Sequence, residues 1–414
     1  MEPDSIVLVV ALVLLAAGAF YLVARQGRWW WKAVGATLAF VLAVGVGVAT
    51  VNDYYGYYTS WGQLTADLSG DSGAAFTDAV THRGTTAVGQ GRLEALDFAG
   101  PRSGINREGL IYLPPQYFQA RYADTRFPVV ELLHGTPGSP SQYPVQLQLV
   151  ELAHHLLANR EAGPMIYVMP DISGHHFQEC VDAPGALDDT YVTQDVRADV
   201  LARYRAATDP AEWGVAGFSS GGYCAANLAM RHPADFGAAG LMDAYYRPQD
   251  GPAAAALHDN RAAERANDPL LRAAALTEHS SPLPAFWISA GTGVHEDIAG
   301  ARAFIAALHG VEQVTFEREP GAGHNFYAWR TALPPLLAWM WTQLAPPSLR
   351  VQYPVAGAAR VTTLPVIGHP VPLPSSGSST APSAPPSESP APRPSATAEP
   401  AAHLTPATAE GPRA

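Results

Sequence analysis

The stretch Gly217-Phe218-Ser219-Ser220-Gly221 constrains this chain more than any other. It reads Gly-x-Ser-x-Gly. The apolar run Trp213-Gly214-Val215-Ala216 before it suits a short buried strand. Gly222-Tyr223-Cys224-Ala225-Ala226-Asn227-Leu228-Ala229-Met230-Arg231 after it suits a helix. A strand that turns at once into a helix needs residues without a Cβ beside the bend. Such a turn lifts one serine hydroxyl to the top of a sheet and sets the positive end of a helix behind it. The bare pattern arises often by chance. Between a strand and a helix it marks Ser219 as a candidate nucleophile.

The surroundings agree with that reading. From about 91 to 345, apolar strand-like runs alternate with helical stretches, which predicts an α/β domain: a mostly parallel central sheet covered by helices. Strands are expected at 109–113, 128–133, 165–169, 213–217, 238–242, 285–289 and 314–317. Helices are expected near 143–159, 191–206, 220–231, 253–275, 298–308 and 325–344. No internal repeat is present. The formal net charge is −12 with 25 basic residues and no basic stripe, so nucleic acid is not an expected partner. Two cysteines, Cys180 and Cys224, exclude a disulfide scaffold and zinc-ribbon spacing.

The N-terminus is of another kind. Ile6 to Ala24 and Ala33 to Val51 are uncharged apolar runs of 19 residues each, about the length that crosses a bilayer core as a helix. Between them, Arg25 to Lys32 holds three positive charges and no negative one, while the N-terminal tail carries Glu2 and Asp4. The bias of basic loops toward the cytoplasm puts this loop inside and everything after Val51 outside. Trp29–Trp31 on one side, and Tyr54, Tyr55, Tyr57, Tyr58 and Trp61 on the other, fit two interfacial aromatic belts. The alternative is a signal peptide cut near Gly47-Val48-Ala49; the first run lacks the basic region such a peptide starts with. Either way the soluble part faces outward. A pair of buried core helices fits poorly with such uniform apolarity. The expected plan is a transmembrane hairpin at 1–51, a connector at 52–90, the α/β domain at 91–345, and a tail at 346–414. From Gly368 the tail is dominated by Pro, Ser, Ala and Thr and is expected to be disordered.

A serine hydroxyl is a weak nucleophile and needs a base, which in turn needs an orienting acid. The α/β-hydrolase arrangement places them in the chain order Ser, acid, His. After the strand ending Trp287-Ile288-Ser289-Ala290 comes Gly291-Thr292-Gly293-Val294-His295-Glu296-Asp297, where the acid belongs. Asp297 is preferred and Glu296 stays open as the alternative; a competing role for either is capping a helix near Ile298. After the strand Val314-Thr315-Phe316-Glu317, the glycine-rich loop Pro320-Gly321-Ala322-Gly323 delivers His324, the candidate base. An oxyanion needs two backbone N–H donors. Ser220 supplies one. The loop His134-Gly135-Thr136-Pro137 supplies the other from Thr136, with Gly135 second because Pro137 has no N–H. His134 is expected to hold that loop.

Together these residues resemble the esterase D family of the α/β-hydrolase superfamily. The family includes S-formylglutathione hydrolases, enterochelin esterases, feruloyl esterases and mycolyltransferases. The resemblance covers roughly 91–345. It rests on Ile111-Tyr112-Leu113-Pro114-Pro115, the His134-Gly135 loop, Gly217-Phe218-Ser219-Ser220-Gly221-Gly222, Arg231-His232-Pro233-Ala234-Asp235-Phe236, and Gly323-His324 with Trp329-Arg330. It implies Ser219 as nucleophile, His324 as base, Ser220 and Thr136 as oxyanion donors, and no cofactor. The stretch 291–297 is longer than the compact Gly-Thr-x-Asp turn of many members, which keeps Glu296 open as the acid.

The resulting expectation is a membrane-anchored, extracytoplasmic serine esterase or acyltransferase acting on a small-molecule, lipid or sugar ester. Hydrolase and transferase share the same triad. A catalytically inactive envelope scaffold with the same fold is the alternative. An envelope setting in a high-GC actinobacterium fits the Ala, Gly, Pro and Arg usage. Cys180 and Cys224 are read equally as a disulfide or as two buried thiols. His175 and His176 lack a third ligand at helical spacing, so no metal is expected. Asp243-Ala244-Tyr245-Tyr246 is read either as cleft lining or as packing at a strand end, and 253–275 as a cap or a sheet cover.

Overall fold

The structure is a computed structural model that describes residues 2–25, 27–58, 61, 64–65, 91–172, 179–248, 256–257, 260–277, 279–308 and 313–355. Most of the expected connector, nearly all of the tail, His175, His176 and the start of the 253–275 segment lie outside the described residues.

Two long helices open the chain, α1 (Ile6–Arg25) and α2 (Trp29–Tyr55). Both are long and apolar enough to cross a membrane. No residue of α1 is buried, and only Ala49 and Asn52 of α2 are. Helix α2 runs past the apolar stretch to Tyr55 and stops at Gly56, whose left-handed backbone (φ 68°) lets its N–H reach the Asn52 carbonyl at 2.7 Å. The Asn52 side chain then binds Tyr58 twice, accepting from its N–H and donating to its carbonyl, each at 2.8 Å.

Ten strands follow: β1 (Arg92–Phe98), β2 (Arg107–Leu113), β3 (Val129–Leu133), β4 (Ile166–Pro170), a two-residue pair β5 (Asp182–Ala183) and β6 (Ala186–Leu187), β7 (Trp213–Phe218), β8 (Ala238–Met242), β9 (Ala285–Gly291) and β10 (Val314–Glu319). Eight of them form one sheet in the order β1-β2-β4-β3-β7-β8-β9-β10. Strand β2 runs antiparallel to both β1 and β4, and the rest is parallel. Strands β3, β4, β7 and β8 are buried along their whole length, as the continuous apolar runs require of a sheet covered on both faces. The covering helices include α3 (Leu149–Ala158), α4 (Arg197–Arg203), α5 (Ser220–Arg231), α6 (His295–Ala307) and α7 (Phe326–Leu344). Trp213, Trp287 and Trp341 are the largest fully buried side chains of the core.

This is the α/β-hydrolase arrangement. Parallel strands deliver the connections after β3, β7, β8, β9 and β10 to one end of the sheet, and the candidate residues lie in these connections or in the first turns of the helices that follow them. Strand β1 escaped the sequence reading because it is an edge strand, only partly buried, with polar residues at Glu94 and Asp97. Cys180 and Cys224 are disulfide-bonded, with Cα atoms 5.4 Å apart, which decides between the two readings of that pair. The bond ties the segment before β5 to α5.

Candidate active site

The bend at Ser219 is forced by its neighbours. Ser219 sits at φ 55°, ψ −123°, a conformation a non-glycine residue rarely adopts. A Cβ on Gly217 would strike the Gly221 carbonyl, and one on Gly221 would strike the Leu133 carbonyl. Strand and helix can therefore meet at this angle only with glycine at both places. The Ser219 N–H is held by the Met242 carbonyl at 3.0 Å, so β8 braces the turn.

His324 reaches the serine from the loop after β10. Its Nε2 lies 2.9 Å from Ser219 Oγ, and its Nδ1 lies 2.9 Å from Asp297 Oδ2. The next residue, Asn325, caps α7 by accepting the Ala328 N–H at 3.0 Å, which fixes where the helix starts and so where His324 sits. The segments before Asp297 and before His324 are stitched together. Thr292 N–H donates to the Glu319 carbonyl at 3.0 Å, Gly293 N–H to the Ala322 carbonyl at 2.9 Å, and Gly321 N–H to Thr292 Oγ1 at 2.8 Å.

Of the two candidate acids, Asp297 faces His324, while Glu296 is exposed. Helix α6 begins at His295, not near Ile298, and neither carboxylate caps it: Val294 is the capping position and makes no side-chain bond. Both acids instead stand in the first turn, where the helix dipole favours negative charge. Burial pulls the His324 pKa down, but the hydrogen bond and charge of Asp297, with the charge of Asp243, overcome it and hold the imidazole above its ordinary value.

The Ser220 and Thr136 N–H groups donate to no acceptor among the described residues. Their side chains meet: Ser220 Oγ donates to Thr136 Oγ1 at 2.9 Å, a crosslink between the two loops that the sequence did not suggest. His134 is fully buried behind them. Its Nε2 accepts the Ile172 N–H at 3.2 Å, leaving Nδ1–H to donate to the Gly135 carbonyl at 2.9 Å. The ring thus braces the Gly135-Thr136 loop.

Asp243 does not line a cleft. It is 1% exposed, behind His324. Arg231 and His232, at the end of α5, both bind the buried Asp189, at 2.6 and 2.7 Å, and so anchor that helix away from the site. The end of the helix pair that carries Asp4 and Gly56 packs beside the loop that carries His324. Tyr57 meets Phe326 edge-on at 5.3 Å, Phe326 meets Phe218 at 5.7 Å, Tyr327 donates to Asp4 at 3.0 Å, and Arg330 donates to the Gly56 carbonyl at 3.2 Å.

The profile of the family described as "Putative esterase" matches residues 101–340, more than half of the chain. The chain belongs to that family. An uncharacterised protein of Corynebacterium glutamicum is 24% identical over 257 residues, covering 56% of this chain and 57% of the relative, so the match spans little more than half of that protein's length. Among solved structures, a ferulic acid esterase superposes with a TM-score of 0.53 at 22% identity, over 62% of this chain and 99% of its own. The S-formylglutathione hydrolase of Agrobacterium tumefaciens does so with 0.52 at 20% identity, over 63% and 98%. A fluorophosphonate-binding serine hydrolase of Staphylococcus aureus gives 0.52 at 18%, over 60% and 98%. At these identities the solved structures speak for the fold.

Proposed function

We propose that this protein is a membrane-anchored, extracytoplasmic serine esterase or acyltransferase whose catalytic unit is 91–345. Ser219 attacks an ester carbonyl. His324 Nε2 takes the hydroxyl proton and later gives it to the leaving alcohol. Asp297 accepts from Nδ1–H, orients the ring and stabilises its positive charge. The N–H groups of Ser220 and Thr136 hold the oxyanion. The acyl-enzyme is released by water, or by an acceptor hydroxyl, with no cofactor.

The observation that carries this reading is the unbroken line from Ser219 Oγ through His324 to Asp297, each contact 2.9 Å. Supporting the anchor are the two apolar helices and the charge asymmetry of the short loop between them. The candidate acyl donors are small-molecule, lipid or sugar esters in the cell envelope, and the candidate acceptors are water and sugar hydroxyls.

A fluorophosphonate probe tests the chemistry. We expect the full chain in detergent micelles to be labelled, and Ser219→Ala to lose labelling while remaining folded. Asp297→Asn should slow labelling by about 10³-fold or more, and Glu296→Gln by less than about 3-fold. Folded wild type that stays unlabelled would mean an inactive scaffold. Equal losses in Asp297→Asn and Glu296→Gln would remove Asp297 from its assigned role. Mass spectrometry of products, with and without a sugar acceptor, separates hydrolysis from transfer.

A further inference from the structure

We propose that Asp243 is a positioning residue that sets both the orientation and the proton affinity of the His324 base. The inference rests on Ser219 and His324 being nucleophile and base. Asp243 follows β8 with an uncommon left-handed backbone (φ 44°), and its N–H donates to the Ser289 carbonyl at 3.0 Å. Both carboxylate oxygens accept N–H bonds: Oδ1 from Gly291 at 2.7 Å, Oδ2 from Trp329 Nε1 at 2.9 Å.

Those two donors flank the segments that carry Asp297 and His324: Gly291 ends β9 and Trp329 lies in the first turn of α7. Gly291 starts the loop that delivers Asp297. Trp329 stands five residues after His324, and its indole meets the imidazole edge-on at 5.2 Å and stacks on Phe218 at 4.4 Å. Phe218 immediately precedes the nucleophile. One buried carboxylate therefore registers the acid loop, the wall against the base and the ring behind the serine.

A carboxylate is needed for this. An amide in its place has one acceptor oxygen and would turn its NH₂ toward the other donor. The consequence is a second negative charge at the base: single ligating atoms of Asp243, Asp297 and His324 lie within 4.8 Å of one another. A cation cage describes the cluster less well, because both Asp243 oxygens already face N–H hydrogens and His324 Nδ1 faces Asp297.

Burial pushes the Asp243 pKa up to about 6, with the Asp297 charge adding and the Gly291 hydrogen bond opposing. It is thus largely ionised where His324, held above its ordinary value, titrates. Glu296, next to Asp297 in the chain, is exposed. Burial pushes Glu319 on β10 up to about 8 and raises the Tyr246 hydroxyl well above its ordinary value, which favours the neutral form of both near neutral pH. The two aspartates are the charges that act on the imidazole.

The test is the pH dependence of kcat/KM for a chromogenic ester, measured on the full chain in detergent. Activity needs neutral His324, so the acid limb reports its pKa. In Asp243→Asn the limb should move to lower pH by about half a unit or more, with kcat down roughly 10- to 100-fold. A purely structural role lowers activity without moving the limb, and a limb that stays in place overturns the proposal. If Asp243→Asn does not fold, Trp329→Phe keeps the ring packing and removes one donor. Asp243 is then harder to ionise, and the limb should shift in the same direction by less; an unmoved limb again overturns the proposal. Fluorophosphonate labelling of the wild type keeps the two readings apart. A labelled enzyme with an unmoved limb sinks only the role of Asp243. An unlabelled one removes the base reading and this inference with it.

Discussion

The hairpin and the central sheet are built from the same apolar residue types and meet opposite fates. In α1, Phe20 is 69% exposed; in β9, Trp287 is 1% exposed. The two also treat charge differently. From Ile6 to Ala24 the hairpin carries no charged side chain, whereas β3, in the middle of the sheet, carries Glu131 at 0% exposure, with neither oxygen hydrogen-bonded among the described residues. A protein core can admit a carboxyl by keeping it protonated: burial pushes Glu131 up to about 8. A helix apolar on every side has no such interior and must find an apolar surrounding instead. The contrast teaches that apolarity alone does not locate a residue. What locates it is whether the chain supplies partners to cover it.

Disrupting the covered region should have the largest effect. Trp287→Ala empties a fully packed site between β8, β10 and the helices, and should cost about 3–5 kcal/mol of stability. Near-UV circular dichroism during thermal unfolding in detergent checks this. A transition unchanged from wild type would mean that the sheet is not the stabilising core, and the contrast with the hairpin would fail.

Much of this division was legible in the sequence, because it is local. The strand–bend–helix at 213–231 and the order of Ser219, a carboxylate at 296 or 297, and His324 need only neighbouring residues and chain direction to be read. Strand order was not readable, since β3 lies between β4 and β7 through pairings scores of residues apart. The choice between Glu296 and Asp297 was hidden for a geometric reason: successive residues in a helical turn point about 100° apart, so the choice depends on where α6 begins. Whether Asp243 lined a cleft or packed at a strand end stayed open in the sequence because its partners, Gly291 and Trp329, lie 48 and 86 positions away. The disulfide was undecidable for the same reason, with 44 residues between its ends.

The buried carboxyl gives a smaller effect with a definite sign. In the unfolded chain Glu131 ionises near its ordinary value; in the folded protein it holds its proton to about 8. Between those values the folded state binds more protons, so stability falls as pH rises through that window. Glu131→Gln is nearly isosteric and cannot ionise. It should match wild type near pH 5 and exceed it at pH 8 by on the order of 1–3 kcal/mol. Glu319, also pushed up to about 8, leaves a residual slope of the same sign. Urea unfolding at the two pH values measures the difference. Equal gains at both would trace the effect to packing and not to the proton.

The smallest expected effect lies on the hairpin. Phe20 faces outward from α1 and touches nothing that holds the sheet together, so Phe20→Ala should leave the thermal transition of the α/β domain in detergent within about 0.5 kcal/mol of wild type. The link between the two regions runs instead through Asp4, Gly56 and Tyr57 to Tyr327, Arg330 and Phe326, at the other end of the helices. A loss from Phe20→Ala comparable to that from Trp287→Ala would show that the hairpin packs as part of the same core. The exposed apolar face would then be covered by protein rather than by lipid, and the membrane anchor would have to be given up.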